Sequence, residues 1–503
     1  MPKPTPHIPL PGIQLNVSAN LPLRRQLYEQ LGQAIRAGHL APGTRLPSTR
    51  AFARELGVSR TTVEEAYQDL FAEGYIERQM GAGTYVTKHL SEHLFCATSM
   101  PAEGAKSPGS VDRYTGLSQY GRQLSAFSLP PGMRLGNARF PFRLGLPALE
   151  SFPSQEWART VAQVAHHLSP ALLDYTDVAG YRPLREEIAT YLTLSRGVRC
   201  TADQVIVVAG AQAGLSLAAR LLLDVKDAVW IEDPGYPSAK AAFEDVGATV
   251  VPIPVDEEGI DVVIGKEKCF DARLAYVTPS HQFPLGVTMS LARRYELLHW
   301  ARVAGAWIIE DDYDSEYRYI GRPIPALQGL EGAEHVLYLG TFSKVLFPAL
   351  RLGYLVVPPL LVDTFVTALR AANIFLPTLE QAAVAIYMRE GYFARHIRRM
   401  RALYAKRGNF LRDCTRHFLG EVLTIEQPAA GLHLVGWLRE GTDDRDMARK
   451  GEKQGIIVSP LSAYRMESTG PGGVLLGYAS WSESEIEEGV QHLVRAWNTR
   501  LGE

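Results

Sequence analysis

The stretch Leu339–Tyr354, LGTFSKVLFPALRLGY, holds a single lysine, Lys344, between small hydroxyl residues (Thr341, Ser343) and ahead of one arginine, Arg351. The apolar run that leads into it, HVLYLG, predicts a strand and sets Lys344 at the strand's end. There its amine can meet a bound aldehyde, provided the lysine is desolvated and held still. Two hydroxyls and a guanidinium beside it are what a phosphate monoester requires. An aldehyde that carries a phosphate points to pyridoxal phosphate, whose ring nitrogen also needs a carboxylate.

A carboxylate is available upstream, where the apolar run Trp307-Ile308-Ile309 ends in Glu310-Asp311-Asp312-Tyr313. One acid there can hold a ring nitrogen protonated, and a tyrosine two residues on can reach a phenolic oxygen. A third segment, QVIVVAGAQAGLSLAARLLL, reads as a strand running through Gly210 into a helix. Its Ala211-Gln212 start aims free backbone N–H groups at a phosphate. Taken singly these are common features: most lone lysines are solvated, and strand-Gly-helix turns occur throughout α/β proteins. The acid cluster lacks the glycine and spaced ligands of a calcium loop, so no metal site is expected. In this order, the three segments resemble the type I aminotransferase fold of pyridoxal phosphate proteins.

Runs of strand character alternate with helical ones around these segments: VIVVAG, AVWIEDPGY, TVVPIPV, LAYVTPSH, AWIIEDDY, VLYLGTFS and LGYLVVP. That alternation predicts an α/β class with a mainly parallel sheet. The chain then reads as helical around residues 380–418 and ends on an amphipathic helix from Glu483 to Trp497, resembling the small domain of the same fold. A net charge of −2 excludes a global basic field, so any nucleic-acid site must be local. Four scattered cysteines without a C-x-x-C pair indicate neither a zinc site nor a disulfide framework. No apolar run reaches membrane-spanning length and the start is not a signal peptide, which makes the cytoplasm the expected location.

A second unit is legible at the N-terminus. Leu23, Leu27, Leu31 and Ile35 recur at helical steps, and in LPSTRAFARELGVSRTTVEEAYQDLF Ser48 and Ser59 can each cap a helix on either side of Gly57. Val63, Ala66, Tyr67 and Leu70 share the inner face of the second of these helices. Tyr75–Arg78, the turn at residues 81–83 and Thr84–Val86 read as a two-stranded wing. The set resembles the winged helix-turn-helix domain of GntR-type repressors, which implies double-stranded promoter DNA as partner. By that resemblance Arg50, Ser59, Arg60 and Thr61 touch DNA. Thr62 shares the start of the recognition helix, while Arg45, Ser48, Thr49 and the wing are expected to contact phosphates. Glu64 stands where some members carry arginine; it either reads a cytosine amino group or faces away. The expected domains are 1–88 for DNA binding, a linker at 89–135, and 136–503 for the aminotransferase-like part.

The resemblance assigns Lys344 to the internal aldimine with pyridoxal 5'-phosphate and Asp311 to the ring nitrogen. Tyr313 is assigned to the phenolic oxygen, Tyr236 to stacking, and Ala211, Gln212, Thr341, Ser343 and Arg351 to the phosphate. Tyr175 matches a tyrosine that reaches the phosphate of the partner subunit, which implies a homodimer. Two departures stand out. Phe283, in TPSHQFPLG, replaces the asparagine of an NPTG turn, leaving His281 or Gln282 as substitutes. Leu475, in VLLGYAS, stands where a C-terminal strand carries the arginine that clamps the substrate carboxylate. A domain so altered is better suited to binding than to turnover, with at most half-transamination. A winged helix followed by such a domain resembles the MocR/GabR group of regulators. That resemblance implies a transcription regulator that senses an amine, an amino acid or the cofactor itself, with Arg465 as a replacement clamp. The alternative is an active aminotransferase with a fused DNA-binding domain.

Overall fold

The computed structural model describes residues 13–16, 21–79, 83–87, 116–118, 121–122, 141–175, 177–321, 324–427 and 429–497. Most of the expected linker, and residues 81 and 82 of the wing turn, lie outside these. The chain forms two units, Met1–Thr115 and Gly116–Glu503.

In the first unit the three helices are α1 (Leu23–Arg36), α2 (Thr49–Leu56) and α3 (Arg60–Ala72), followed by strands β1 (Ile76–Gln79) and β2 (Gly83–Val86). Serine caps set the starts of α2 and α3, as expected: Ser48 Oγ accepts from Ala51 N at 3.3 Å, and Ser59 Oγ from Thr62 N at 3.1 Å. Such a cap satisfies an N–H that has no partner within the helix, and is worth about 1 kcal/mol. Gly57 closes α2 in the left-handed conformation. Leu27, Leu31, Ile35, Val63, Ala66, Tyr67 and Leu70 close into one core with Ile76 and Val86 of the hairpin. Burying each large apolar side chain contributes roughly 1.5–3 kcal/mol, which fastens α3 against α1 and leaves its opposite face to solvent.

In the second unit all seven expected strands form. They are β3 (Val205–Val208), β4 (Ala228–Asp233), β5 (Thr249–Asp256), β7 (Leu274–Val277), β8 (Trp307–Asp312), β9 (Val336–Thr341) and β10 (Gly353–Val356); a short β6 (Gly259–Ile260) extends the edge. Their order is β3-β10-β9-β8-β7-β4-β5-β6. Pairing is parallel from β5 through β9 and antiparallel at β10 and β6. Alternation sorts side chains to the two faces. Leu337 and Leu339 pack with Leu215 and Ala218 of the helix Ala211–Leu222, whereas Tyr338 joins the opposite core. Because the strands are buried on both faces, they read as unbroken apolar runs.

The later part holds a four-stranded antiparallel sheet of β11 (Leu423–Ile425), β12 (His433–Leu438), β13 (Ser459–Pro460) and β14 (Gly473–Gly477), ordered β11-β12-β14-β13. The helical region expected over 380–418 is two helices, Thr378–Arg389 and Tyr392–Leu419, interrupted at Gly391. The last helix, Glu483–Trp497, has its expected bounds. Its buried Ile486, Val490 and Leu493 pack into the core shared with the long helix.

Candidate functional site

A cavity of about 410 Å³ opens at the ends of β7, β8 and β9. Its wall includes Lys344, Asp311, Tyr313, Tyr236, Thr341, Ser343 and Arg351, together with Gly210, Ala211 and Gln212 at the start of the helix Ala211–Leu222. Residues spread over more than a hundred positions of sequence thus meet where the strand ends and a helix N-terminus converge, the usual crevice of an open α/β sheet.

Strand alternation divides the acid cluster. Glu310 and Asp312 lie on one face of β8: Glu310 accepts from Leu327 N and Gln328 N, and Asp312 pairs with Arg196 at 2.8 Å and Tyr338 Oη at 2.7 Å. Asp311 faces the cavity. Its Oδ2 accepts from Tyr276 Oη at 2.6 Å, while its buried Oδ1 has no partner. Burial pushes the Asp311 carboxyl up to about 7, against the opposing pull of the Tyr276 hydrogen bond and the Lys344 charge. Lys344 Nζ donates to the carbonyl of Gly145 at 2.9 Å. Burial lowers its pKa, and the negative charges of Asp314 and Asp311 work the other way. A lysine that loses its proton more readily than a free amine is suited to act as a nucleophile.

One end of the cavity is rich in donors. The first N–H groups of the helix lack intrahelical acceptors. Thr341 and Ser343 bring hydroxyls, and Arg351 Nη2 hydrogen-bonds the Ala209 carbonyl at 3.2 Å. Such an end binds a dianion. Opposite, the unpartnered Asp311 Oδ1 is an acceptor awaiting a donor. A ring with an N–H at one end and a phosphate at the other matches both, so the wall fits pyridoxal phosphate on its own chemistry. No cluster of metal-ligating side chains occurs among the described residues.

Two family models match the chain: bacterial regulatory proteins of the gntR family over residues 23–86, and class I and II aminotransferases over residues 144–493. The probable rhizopine catabolism regulatory protein MocR of Rhizobium meliloti is 42% identical over 96% of this chain and 95% of its own length. The pyridoxine biosynthesis transcriptional regulator PdxR of Corynebacterium glutamicum is 31% identical over 94% of this chain and 96% of its own. The chain belongs to the MocR/GabR-type transcriptional regulators. Among solved structures, the kynurenine aminotransferase of Pyrococcus horikoshii superposes on 77% of the chain, and the chain on all of it, with a TM-score of 0.67 at 26% identity. Class I and II aminotransferases depend on pyridoxal phosphate, and the GntR domain is a DNA-binding domain.

In this MocR/GabR-type regulator Arg465, His281 and Gln282 stand away from the cavity wall. Arg465 is not at the cavity: its guanidinium folds onto the carbonyls of Gly470 and Pro471, each at 2.8 Å. His281 does not line the wall but lies behind Tyr313, its Nδ1 at 3.0 Å from the Tyr313 hydroxyl. Gln282 is no substitute either, because its amide nitrogen bonds Glu232 and the carbonyls of Pro234 and Phe283. Tyr175 is 83% exposed and outside its own chain's cavity, in ring contact with Phe375. Leu475 is fully buried among Val435, Leu461 and Tyr464, with Phe283 against the same cluster. No described helix is long and apolar enough to cross a membrane.

On the recognition helix Glu64 neither stands free nor turns away. It binds Arg60 Nη2 at 2.7 Å and lies 3.5 Å from the Thr49 hydroxyl, bridging the two helices of the motif. The Thr62 and Ser59 hydroxyls are 2.8 Å apart and serve the cap, whereas Arg45, Arg50, Arg60 and Thr61 are exposed. Sequence reasoning missed Arg143, Gly145, Tyr276 and His433 in the cavity wall. Tyr276 had a signal: a hydroxyl inside the apolar run LAYV must find a buried partner.

Proposed function

We propose that the aminotransferase-type domain holds pyridoxal 5'-phosphate at Lys344 and uses it to sense an amine or amino acid, and that this occupancy controls how a homodimer grips promoter DNA. The observation that carries the reading is the pairing, in one cavity, of the buried, unpartnered Asp311 Oδ1 with the desolvated Lys344 amine. Bound there, the cofactor supplies an aldehyde carbon that a primary amine can take.

The backbone N–H groups of Ala211 and Gln212, the hydroxyls of Thr341 and Ser343, and Arg351 bind the phosphate. Asp311 Oδ1 accepts a hydrogen bond from the ring N–H and keeps that nitrogen protonated, since an opposite charge at contact favours the charged form. The Tyr313 hydroxyl reaches the phenolic oxygen and Tyr236 flanks the ring. Lys344 is either engaged or free. When free, its Nζ donates to the Gly145 carbonyl, on the segment that bonds through the Phe142 carbonyl to Gly477 N at 3.0 Å, at the end of β14. An effector amine that competes with Lys344 therefore changes a bond made to the strap that joins the cavity to the C-terminal sheet.

Leu475, set in an apolar cluster, supports sensing over turnover, because no guanidinium from that strand can orient a carboxylate for proton removal. A dimer is supported by exposed Leu173, Tyr175, Ile374 and Leu379, with the Tyr175–Phe375 contact joining the two segments that carry them. Two winged helices then meet two half-sites.

Borohydride reduction tests the reading. Purified protein should be yellow, and reduction should fix the cofactor to the peptide containing Phe342-Ser343-Lys344. Lys344→Ala should lose that link and the response to amines in a promoter assay, yet keep DNA binding. A normal response from Lys344→Ala would show that exchange at Lys344 is not the switch. Sustained keto-acid formation by wild type would favour an enzyme.

A further inference from the structure

Three oxygens crowd one nitrogen beside the cavity. His281 Nδ1 lies 3.2 and 3.1 Å from the two carboxylate oxygens of Asp314 and 3.0 Å from the Tyr313 hydroxyl. A ring nitrogen carries either a proton or a lone pair. A lone pair would face two buried carboxylate oxygens and be repelled, whereas a proton is donated to them. The geometry therefore selects the Nδ1–H form. A nitrogen that carries its proton cannot accept another from Tyr313, so the tyrosine must send its hydrogen elsewhere. The side open to it is the cavity, which Tyr313 lines.

We propose that His281 is a positioning residue: fixed as its Nδ1–H form by Asp314, it keeps the Tyr313 hydroxyl turned as a donor toward an oxygen in the cavity. This rests on the reading that pyridoxal phosphate occupies that cavity, where the oxygen is the phenolic one.

The ring has little freedom to escape the arrangement. It is buried in a slot where a Cβ on Gly431 would overlap it and one on Gly286 would lie 3.1 Å from Nε2. Gly431 is itself pinned: its N–H donates to the Tyr317 carbonyl at 2.9 Å, and its carbonyl accepts from Tyr478 Oη at 2.7 Å. The other titratable groups facing this pair are few. The His433 ring lies 5.5 Å from that of His281, tilted to it by 54°, and burial pushes its pKa down to about 4, so it stays neutral near neutral pH. Asp314, Asp311, Glu232 and Asp312 set a negative field at Tyr313, and burial with that field holds the phenol proton firmly. Tyr313 thus acts as a donor and not as a phenolate.

The test is the pH at which the visible absorbance of cofactor-loaded protein changes. A donor at the phenolic oxygen favours loss of the proton there, so removing it raises the midpoint. Tyr313→Phe should raise the midpoint by about one pH unit. His281→Leu and Asp314→Asn should raise it in the same sense, and neither should add to Tyr313→Phe. His281→Asn, whose amide can stand near Nδ1 and donate to Asp314, should restore most of the wild-type midpoint. Additive shifts, or an unmoved midpoint in folded His281→Leu or Asp314→Asn, would overturn the proposal. Should His281→Leu fail to fold, Asp314→Asn and His281→Asn decide it alone. A colourless wild type would sink the cofactor reading instead, which separates the two failures.

Discussion

A carboxyl whose pKa is pushed up to about 7, as burial does at Asp311, weakens the fold as the pH climbs from its ordinary 3.8 through that value, because the unfolded chain ionises first. Protein stripped of cofactor should therefore melt lower at about pH 8 than at about pH 5. Asp311→Asn removes this contribution and should stabilise the stripped protein at the higher pH by on the order of 1–4 kcal/mol, with little effect at the lower. The same change should weaken cofactor binding at least tenfold, on the order of 1.4 kcal/mol, in a spectroscopic titration. Equal melting of variant and wild type at about pH 8 would show that Asp311 carries no such strain. Gly145 makes a second residue-scale case. At φ +66 it accepts from Lys344, and a Cβ there would stand 2.6 Å from Nζ. Gly145→Ala should cut borohydride fixation of the cofactor about tenfold or more while leaving DNA binding intact; unaltered fixation would mean that the strap yields. Lys344, Asp311 and Arg351 were legible in the sequence because their side-chain types announce amine, acid and phosphate chemistry within short segments. Gly145, Arg143 and His433 were not, since they meet Lys344 only through contacts between distant parts of the chain. Arg465 misled for the complementary reason: an arginine in a loop can turn back onto the loop's own carbonyls.

Element by element, the recognition helix shows what a cap and an ion pair each do. Ser59→Ala should cost the first unit about 1 kcal/mol by leaving Thr62 N unbonded, read by thermal melting of the full chain. Arg60 pairs with Glu64 across one helical turn, with both groups partly exposed, so the pair contributes well under about 1 kcal/mol to folding. Its larger effect is on DNA. Glu64→Gln releases Arg60 and removes a like charge from the phosphates, so affinity for random DNA should rise and the salt slope steepen by about one. Arg60→Ala should cost about 1–3 kcal/mol at the cognate site and little on random DNA if it reads a base; equal losses would make it a phosphate contact. The bounds of α2 and the start of α3 were readable to the residue because caps, apolar period and glycine stop agree, whereas α1, without a side-chain cap, starts two residues beyond Leu21. The break at Gly391 was not, since an amphipathic pattern runs on through a turn that satisfies its own hydrogen bonds.

For the whole molecule, the dimer prediction is the sharpest. Wild type should sediment as a dimer at micromolar concentration, and Leu173→Asp or Tyr175→Asp should shift it toward monomer and loosen the cofactor together. Dissociation without loss of cofactor would remove Tyr175 from the partner's site. Domain order and fold class were plain from the sequence, because seven apolar runs with helical spacers between them allow few other architectures. The effector is less legible, since its pocket is built from side chains that no single segment contains. One feature of that pocket still bears on what kind of detector this is. With Leu475 sealed among Val435, Leu461 and Tyr464, β14 offers no guanidinium at which a carboxylate could be clamped. On the sensing reading proposed above, an effector would be held mainly through its amine and released chemically unchanged. A detector built that way would spend none of the signal it counts.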